Sequence, residues 1–147
     1  MSKNIAAASG VAIFFLADRI LKSTAFQVRT NPAWPLLGEM LTFRFTANYN
    51  IAFSLPLGGP WLSWLIAAVI TALIIYLVRL WSRPDNRIVV AALILIIAGA
   101  LSNLIDRLTY GYVVDYLELR YFTVFNLADI MISLGALTLI IKSLRAK

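Results

Sequence analysis

Apolar residues dominate every face of four stretches of this chain, Ile5 to Leu21, Trp61 to Trp81, Ile88 to Ile105 and Val124 to Leu144. A helix on the surface of a soluble protein carries a one-sided apolar stripe. Stretches that are apolar all round for roughly 17 to 21 residues instead match the length that crosses about 30 Å of hydrocarbon. The pattern predicts four transmembrane helices. Between the first two, Leu41, Phe43, Phe45 and Ala47 alternate with Thr42, Arg44, Thr46 and Asn48, which is strand periodicity. Pro56, Gly58, Gly59 and Pro60 punctuate the chain before the second span, and a short β-like run, Tyr112 to Tyr116, follows Gly111. The expected architecture is a mainly α membrane protein: a four-helix bundle with a small extracytoplasmic β-sheet and a loop or helix cover. No repeat or linker divides residues 1–147, so they are expected to form one domain.

Composition agrees with the pattern. Of 147 residues, 61% are hydrophobic, and the mean hydropathy is +0.84, well above that of an ordinary soluble domain. The net charge of +6 does not point to nucleic acid, because the basic residues cluster at span ends and not along one face. Arg79, Arg83 and Arg87 surround the connection between the second and third spans. Lys3 precedes the first span, and Lys142, Arg145 and Lys147 close the chain. By the positive-inside rule these segments, and both termini with them, are cytoplasmic, which puts the connections Lys22 to Pro60 and Asp106 to Thr123 outside. Trp34, Trp61, Trp64 and Trp81 are expected at membrane interfaces as anchors. The first span is read as retained and not as a cleaved signal, because its outer end carries Asp18, Arg19 and Lys22 and lacks a small-x-small site.

The chain has no cysteine and no histidine. That removes disulfides, thiolate chemistry, the usual general base and most zinc sites, and no metal or cofactor is expected. Polar groups near the outer span ends carry what chemistry there is, since a charge in hydrocarbon requires a partner. Asp18 and Lys22 stand four apart on one helix face and are expected to tie helix ends together as an ion pair. Asn103, Asp106 and Arg107 form a stripe where the third span leaves the membrane. Asp106 with Arg107 reads as a bracing pair and Asn103 as a cross-helix hydrogen-bonder, although Arg107 could also present donors to a peptide carbonyl.

Asp115 lies within the β-like run, in a hydrophobic setting, and Asn126 and Asp129 share one face at the start of the fourth span. With that helix starting near Val124, Asp129 lies about 7 Å below its beginning, level with Asp115. Two acids at one height in so apolar a chain favour a catalytic pair. Adjacent carboxylates in a low dielectric share one proton. The ionised member can activate a water while the protonated member holds the carbonyl oxygen under attack. A Ser-Lys arrangement would need Lys22 neutral beside Ser23, Ser54 or Ser102 and is the weaker alternative.

The segments Asp18-Arg19-Ile20-Leu21-Lys22, Asn48-Tyr49-Asn50-Ile51-Ala52-Phe53, Asn103-Leu104-Ile105-Asp106-Arg107, Gly111-Tyr112-Val113-Val114-Asp115-Tyr116 and Phe125-Asn126-Leu127-Ala128-Asp129 occur in that order on the four-span scaffold. Together they make the chain resemble lipoprotein signal peptidase, the bacterial type II signal peptidase, over nearly its whole length. The resemblance implies an aspartyl endopeptidase of the bacterial inner membrane. It would remove signal peptides from diacylglyceryl-modified prolipoproteins, cutting before the lipidated cysteine near the periplasmic face. It further implies that Asp115 and Asp129 are catalytic, that Asn48, Asn103, Arg107 and Asn126 line the substrate site, that Asp18 and Lys22 support it, and that cyclic peptide antibiotics such as globomycin block it. Asn50 and Ser102 depart from the glycines usual in the family. Two further expectations concern the substrate, with Leu41 to Asn48 as a platform beneath it and Tyr116 to Phe122 as a mobile cover. The rival classes are a proton-coupled exporter, whose acid belongs at mid-membrane, and a non-catalytic assembly factor, which would tolerate loss of either acid.

Overall fold

The computed structural model describes residues 2–49 and 60–145. The motif residues Asn50 to Phe53, with Ser54, Pro56, Gly58, Gly59 and Lys147, lie outside the described residues. In chain order the elements are α1 (Ser2–Gln27), β1 (Trp34–Leu37), β2 (Leu41–Asn48), α2 (Pro60–Leu80), α3 (Arg87–Tyr110), β3 (Val113–Leu119), β4 (Val124–Phe125) and α4 (Leu127–Leu144). All four helices are long and apolar enough to cross a membrane. A short 3-10 turn, Pro84–Asn86, leads from the α2 end into α3.

α3 is the hub, packing against α1, α2 and α4, and it is the most buried of the four. Its inner face places Val90, Leu93, Ile97 and Leu104 in a core with Ile70 and Leu80 of α2. The α3–α4 contact is especially close. A Cβ on Gly99 would lie 2.5 Å from the Ala128 carbonyl oxygen, and one on Gly135 would lie 2.7 Å from that of Ala92. Only residues without a side chain allow two backbones to approach this far, a device suited to lipid, where burial from water cannot drive helices together.

The four strands form one antiparallel sheet in the order β1-β2-β3-β4. β2 has the bounds its alternation predicts, but its register against β3 slips. Phe43 faces Leu117 while Thr46 faces Asp115, so β2 spends one extra residue there, as in a β-bulge. Phe43 packs with Ala25 of α1 and with Val114 and Tyr116 of β3, so the sheet's apolar face is seated on the helix ends. Ring stacking continues outward from Phe43 to Trp34, with centroids 5.9 Å apart.

Several element bounds differ from the sequence expectation. α1 runs on to Gln27 and α3 to Tyr110, so Lys22, Asp106 and Arg107 lie within helices. Gly111, in the left-handed region at φ 80°, terminates α3 and donates its N–H to the Arg107 carbonyl, as a C-terminal glycine does. α4 starts at Leu127 and not near Val124, because Val124 and Phe125 pair with β3. The proposed cover is corrected too. Tyr116 to Leu119 belong to the inner strand β3, with Tyr116 fully buried, and a strand bonded on both sides cannot swing as a lid. What remains of that segment is the turn after Leu119, where Phe122 donates its N–H to the Leu119 carbonyl and Tyr121 has φ 67°.

Candidate active site

The ends of α1, α3 and α4 meet the sheet around two joined clusters of polar side chains. The inner cluster is ionic. Lys22, with 2% of its side chain exposed, places Nζ 3.3 Å from Asp18 Oδ2 and 2.8 Å from Asp106 Oδ2. Asp106 is held again by Arg19, 2.5 Å away, and by the Val114 N–H at 3.1 Å. The expected Asp106–Arg107 pair is therefore corrected: the ion partners of Asp106 are Arg19 and Lys22. Successive helix residues point about 100° apart, so Asp106 turns toward α1 while Arg107 turns to the other side.

Asp18 is fully buried and tied to three elements. Its Oδ2 accepts the Ser102 hydroxyl at 2.5 Å. Its Oδ1 accepts the Tyr116 hydroxyl at 2.9 Å and the Ala128 N–H at 3.2 Å. The last bond puts a carboxylate at the α4 N-terminus, where unsatisfied N–H groups favour negative charge. Tyr116 in turn accepts the Leu127 N–H at 3.0 Å. Burial first, and the Asp18 charge second, push the Tyr116 phenol far up, so it stays a neutral donor. The sequence reading missed Arg19, Ser102 and Tyr116 as members of this cluster. The signal for Arg19 and Tyr116 was adjacency to acids in the motif segments, and for Ser102 its place beside Asn103 where the family has glycine.

The outer cluster contains the two acids. Asp115 is 1% exposed and accepts Asn48 Nδ2 at 2.8 Å and Asn126 Nδ2 at 2.6 Å. Asp129 accepts Asn103 Nδ2 at 2.8 Å and the Asn126 N–H at 3.2 Å. The Asp129 N–H donates to Asn126 Oδ1 at 2.9 Å. Asn126 is thus the N-cap of α4 in a capping box with Asp129, and its remaining amide group reaches across to Asp115. One residue holds both acids. Burial, followed by the charge of Asp129, raises the Asp115 pKa to about 7 against the pull of Asn48, Asn126 and Lys22.

The acids open into a cavity of about 640 Å³, whose wall includes Asn48, Asn103 and Arg107 on one side and Ile130, Ile132 and Leu134 of α4 on another. The Thr46 hydroxyl, at the β2 position facing Asp115, is buried there and has no hydrogen-bond partner among the described residues. Among the described residues no group of histidine, cysteine or acidic side chains could hold a metal ion.

A helical bundle with four spans and a polar, acid-lined cavity at one end of the helices defines a multi-pass membrane protein with the makings of an enzyme site. Solved structures extend that description. The chain superposes on one titled a bacterial membrane enzyme with TM-score 0.77, covering 99% of this chain and 89% of that one at 24% identity, a likeness of fold. The family model for signal peptidase (SPase) II matches residues 10–145, and the chain belongs to that family of peptidases. Among similar proteins, the lipoprotein signal peptidase of Shewanella amazonensis is 37% identical over 144 residues, covering 92% of this chain and 85% of that protein. That of Halothermothrix orenii is 33% identical over 132 residues, covering 89% and 90%.

Proposed function

We propose that this chain is an aspartyl endopeptidase that removes signal peptides from diacylglyceryl-modified prolipoproteins, with Asp115 and Asp129 as the catalytic pair. The observation that carries the reading is that Asn126 holds both carboxylates at the mouth of one cavity. Burial raises the Asp115 pKa to about 7, so near neutrality the pair holds a proton to share. In the reaction one carboxylate takes a proton from the attacking water, and the carboxyl proton of the other stabilises the carbonyl oxygen. The proton then passes to the departing amine. Asn48, Asn103 and Asn126 orient the carboxylates, and the Arg107 guanidinium supplies positive charge beside them, suited to binding a substrate carbonyl.

The apolar α4 wall, Ile130, Ile132 and Leu134, suits the hydrocarbon of a lipidated precursor. Arg79, Arg83, Arg87, Lys142 and Arg145 lie at the helix ends remote from the sheet, which by the positive-inside rule makes the sheet and acids external. The reading therefore places the cut N-terminal to the lipidated cysteine at the outer face of the inner membrane, with both termini cytoplasmic. Cyclic peptides such as globomycin would compete for the same cavity.

The test is cleavage of a lipidated precursor by purified protein in detergent. Asp115→Asn and Asp129→Asn should each abolish cleavage while the protein stays folded, and a precursor lacking its diacylglyceryl group should be cut far more slowly. Cleavage retained by both variants would overturn the pair. An exporter fits less well, because the acids gather at one end of the bundle and α2 contains none.

A further inference from the structure

β4 is the terminal strand of the sheet, and the phase of its pairing shows which of its backbone groups are free. It meets β3 through Leu117 opposite Phe125 and Glu118 opposite Val124, and the hairpin is closed by the Leu119 N–H donating to the Thr123 carbonyl at 3.0 Å. Hydrogen-bonded and non-hydrogen-bonded positions alternate in an antiparallel pair. With Thr123 and Phe125 turned toward β3, Val124 between them turns its N–H and carbonyl to the open edge. Among the described residues the carbonyl meets only the Thr123 hydroxyl of its own neighbour, at 3.3 Å.

This edge lies between two cavities. Val124 lines the one that holds the acids, and it also lines a second, of about 570 Å³, bounded by Thr42, Glu118 and Tyr121 among others. Phe122, Thr123 and Val124 are common to both walls. A chain leaving the acids along this shared wall runs beside the edge of β4, which pairs with no other strand among the described residues, and an unpaired strand edge is a template for extended backbone.

We infer that an extended segment of the substrate adds as a strand to β4, pairing with the backbone of Val124, and continues into the second cavity. The inference rests on the peptidase reading and deepens it: the ligand is polypeptide backbone, read without regard to side chain. Only one β4 residue offers outward groups, so the pairing should be confined to one point along the substrate.

The experiment is an amide-to-ester scan along a lipidated precursor peptide, which removes one backbone N–H at a time, assayed with the wild-type protein. The expected result is a loss of kcat/KM of about tenfold, the worth of one hydrogen bond, at one position near the scissile bond and little at its neighbours. Val124→Pro removes the outward N–H at an edge position where proline is tolerated. It should unfold at the wild-type temperature, lose about tenfold in kcat/KM, and keep the ester penalty of wild type, because the Val124 carbonyl that accepts the substrate N–H is unchanged. Val124→Ala, which keeps the N–H, should lose less. A uniform response along the peptide, or wild-type kcat/KM in a folded Val124→Pro protein, would overturn the inference; should that variant not fold, the wild-type scan alone decides. Failure of the wild-type protein to cut the unmodified peptide would instead count against the peptidase reading.

Discussion

Lys22 donates to Asn103 Oδ1 across 2.7 Å, and that bond decides which way the Asn103 amide faces. An ammonium can only donate, so the amide oxygen must turn to Lys22 and the amide nitrogen to Asp129, which it meets at 2.8 Å. The ionic cluster inside the bundle thereby sets the geometry of the outer acids. Lys22→Met should be costly for the fold as well, because it leaves Asp18 and Asp106 buried without that countercharge. A loss of about 3–5 kcal/mol is expected from breaking such a buried pair. Thermal unfolding in detergent measures it, and a wild-type melting temperature would refute it.

Asp115 ties stability to pH. Its folded pKa, about 7, lies above the ordinary carboxylate value of 3.8, so the folded state holds a proton that the unfolded chain has released. The group's contribution is present below about pH 4 and is lost as pH rises through 7. Asp115→Asn removes the titration. Relative to wild type the variant should gain stability as pH rises from 5 to 8, by up to about 3–4 kcal/mol for a shift of this size, while cleaving nothing. Melting temperatures of both proteins across that range test the slope.

Gly99 stands one helical turn before Asn103, and its missing Cβ lets the Ala128 carbonyl approach. Gly99→Ala should push the start of α4 from α3 and lengthen the Asn103–Asp129 bond. The expected outcome is a destabilisation of about 1–3 kcal/mol, as for overpacking elsewhere, with cleavage falling by tenfold or more. Gly135→Ala makes a comparable clash seven residues beyond Ala128, so the ratio of activity lost to stability lost should be larger for Gly99→Ala. Equal ratios would show that the Gly99 contact does not position the acid.

Thr46 tests the outer cluster from the opposite direction. Its hydroxyl is buried and has no partner among the described residues, so Thr46→Val should leave stability unchanged or raise it by about 1 kcal/mol. A marked fall in melting temperature would mean that the hydroxyl is satisfied in solution.

Hydropathy alone determined the four spans, since a stretch apolar on all faces has no other stable setting than lipid, and alternation alone determined β2, since a half-buried strand repeats every two residues. The sequence also singled out Asp115, Asp129 and the asparagines, because polar groups are rare in such a chain. It did not disclose β1 or β4, which are too short to show a period. Nor did it disclose the partner of Asp106, since adjacency in sequence suggested Arg107 while helix geometry turned Asp106 to Arg19 and Lys22 on α1. Only the tertiary structure decided that Asn126 would hold both acids. That arrangement depends on the β3–β4 pairing, which delays the start of α4 to Leu127 and makes Asn126 its cap, and such pairing is a contact between elements that no local pattern encodes.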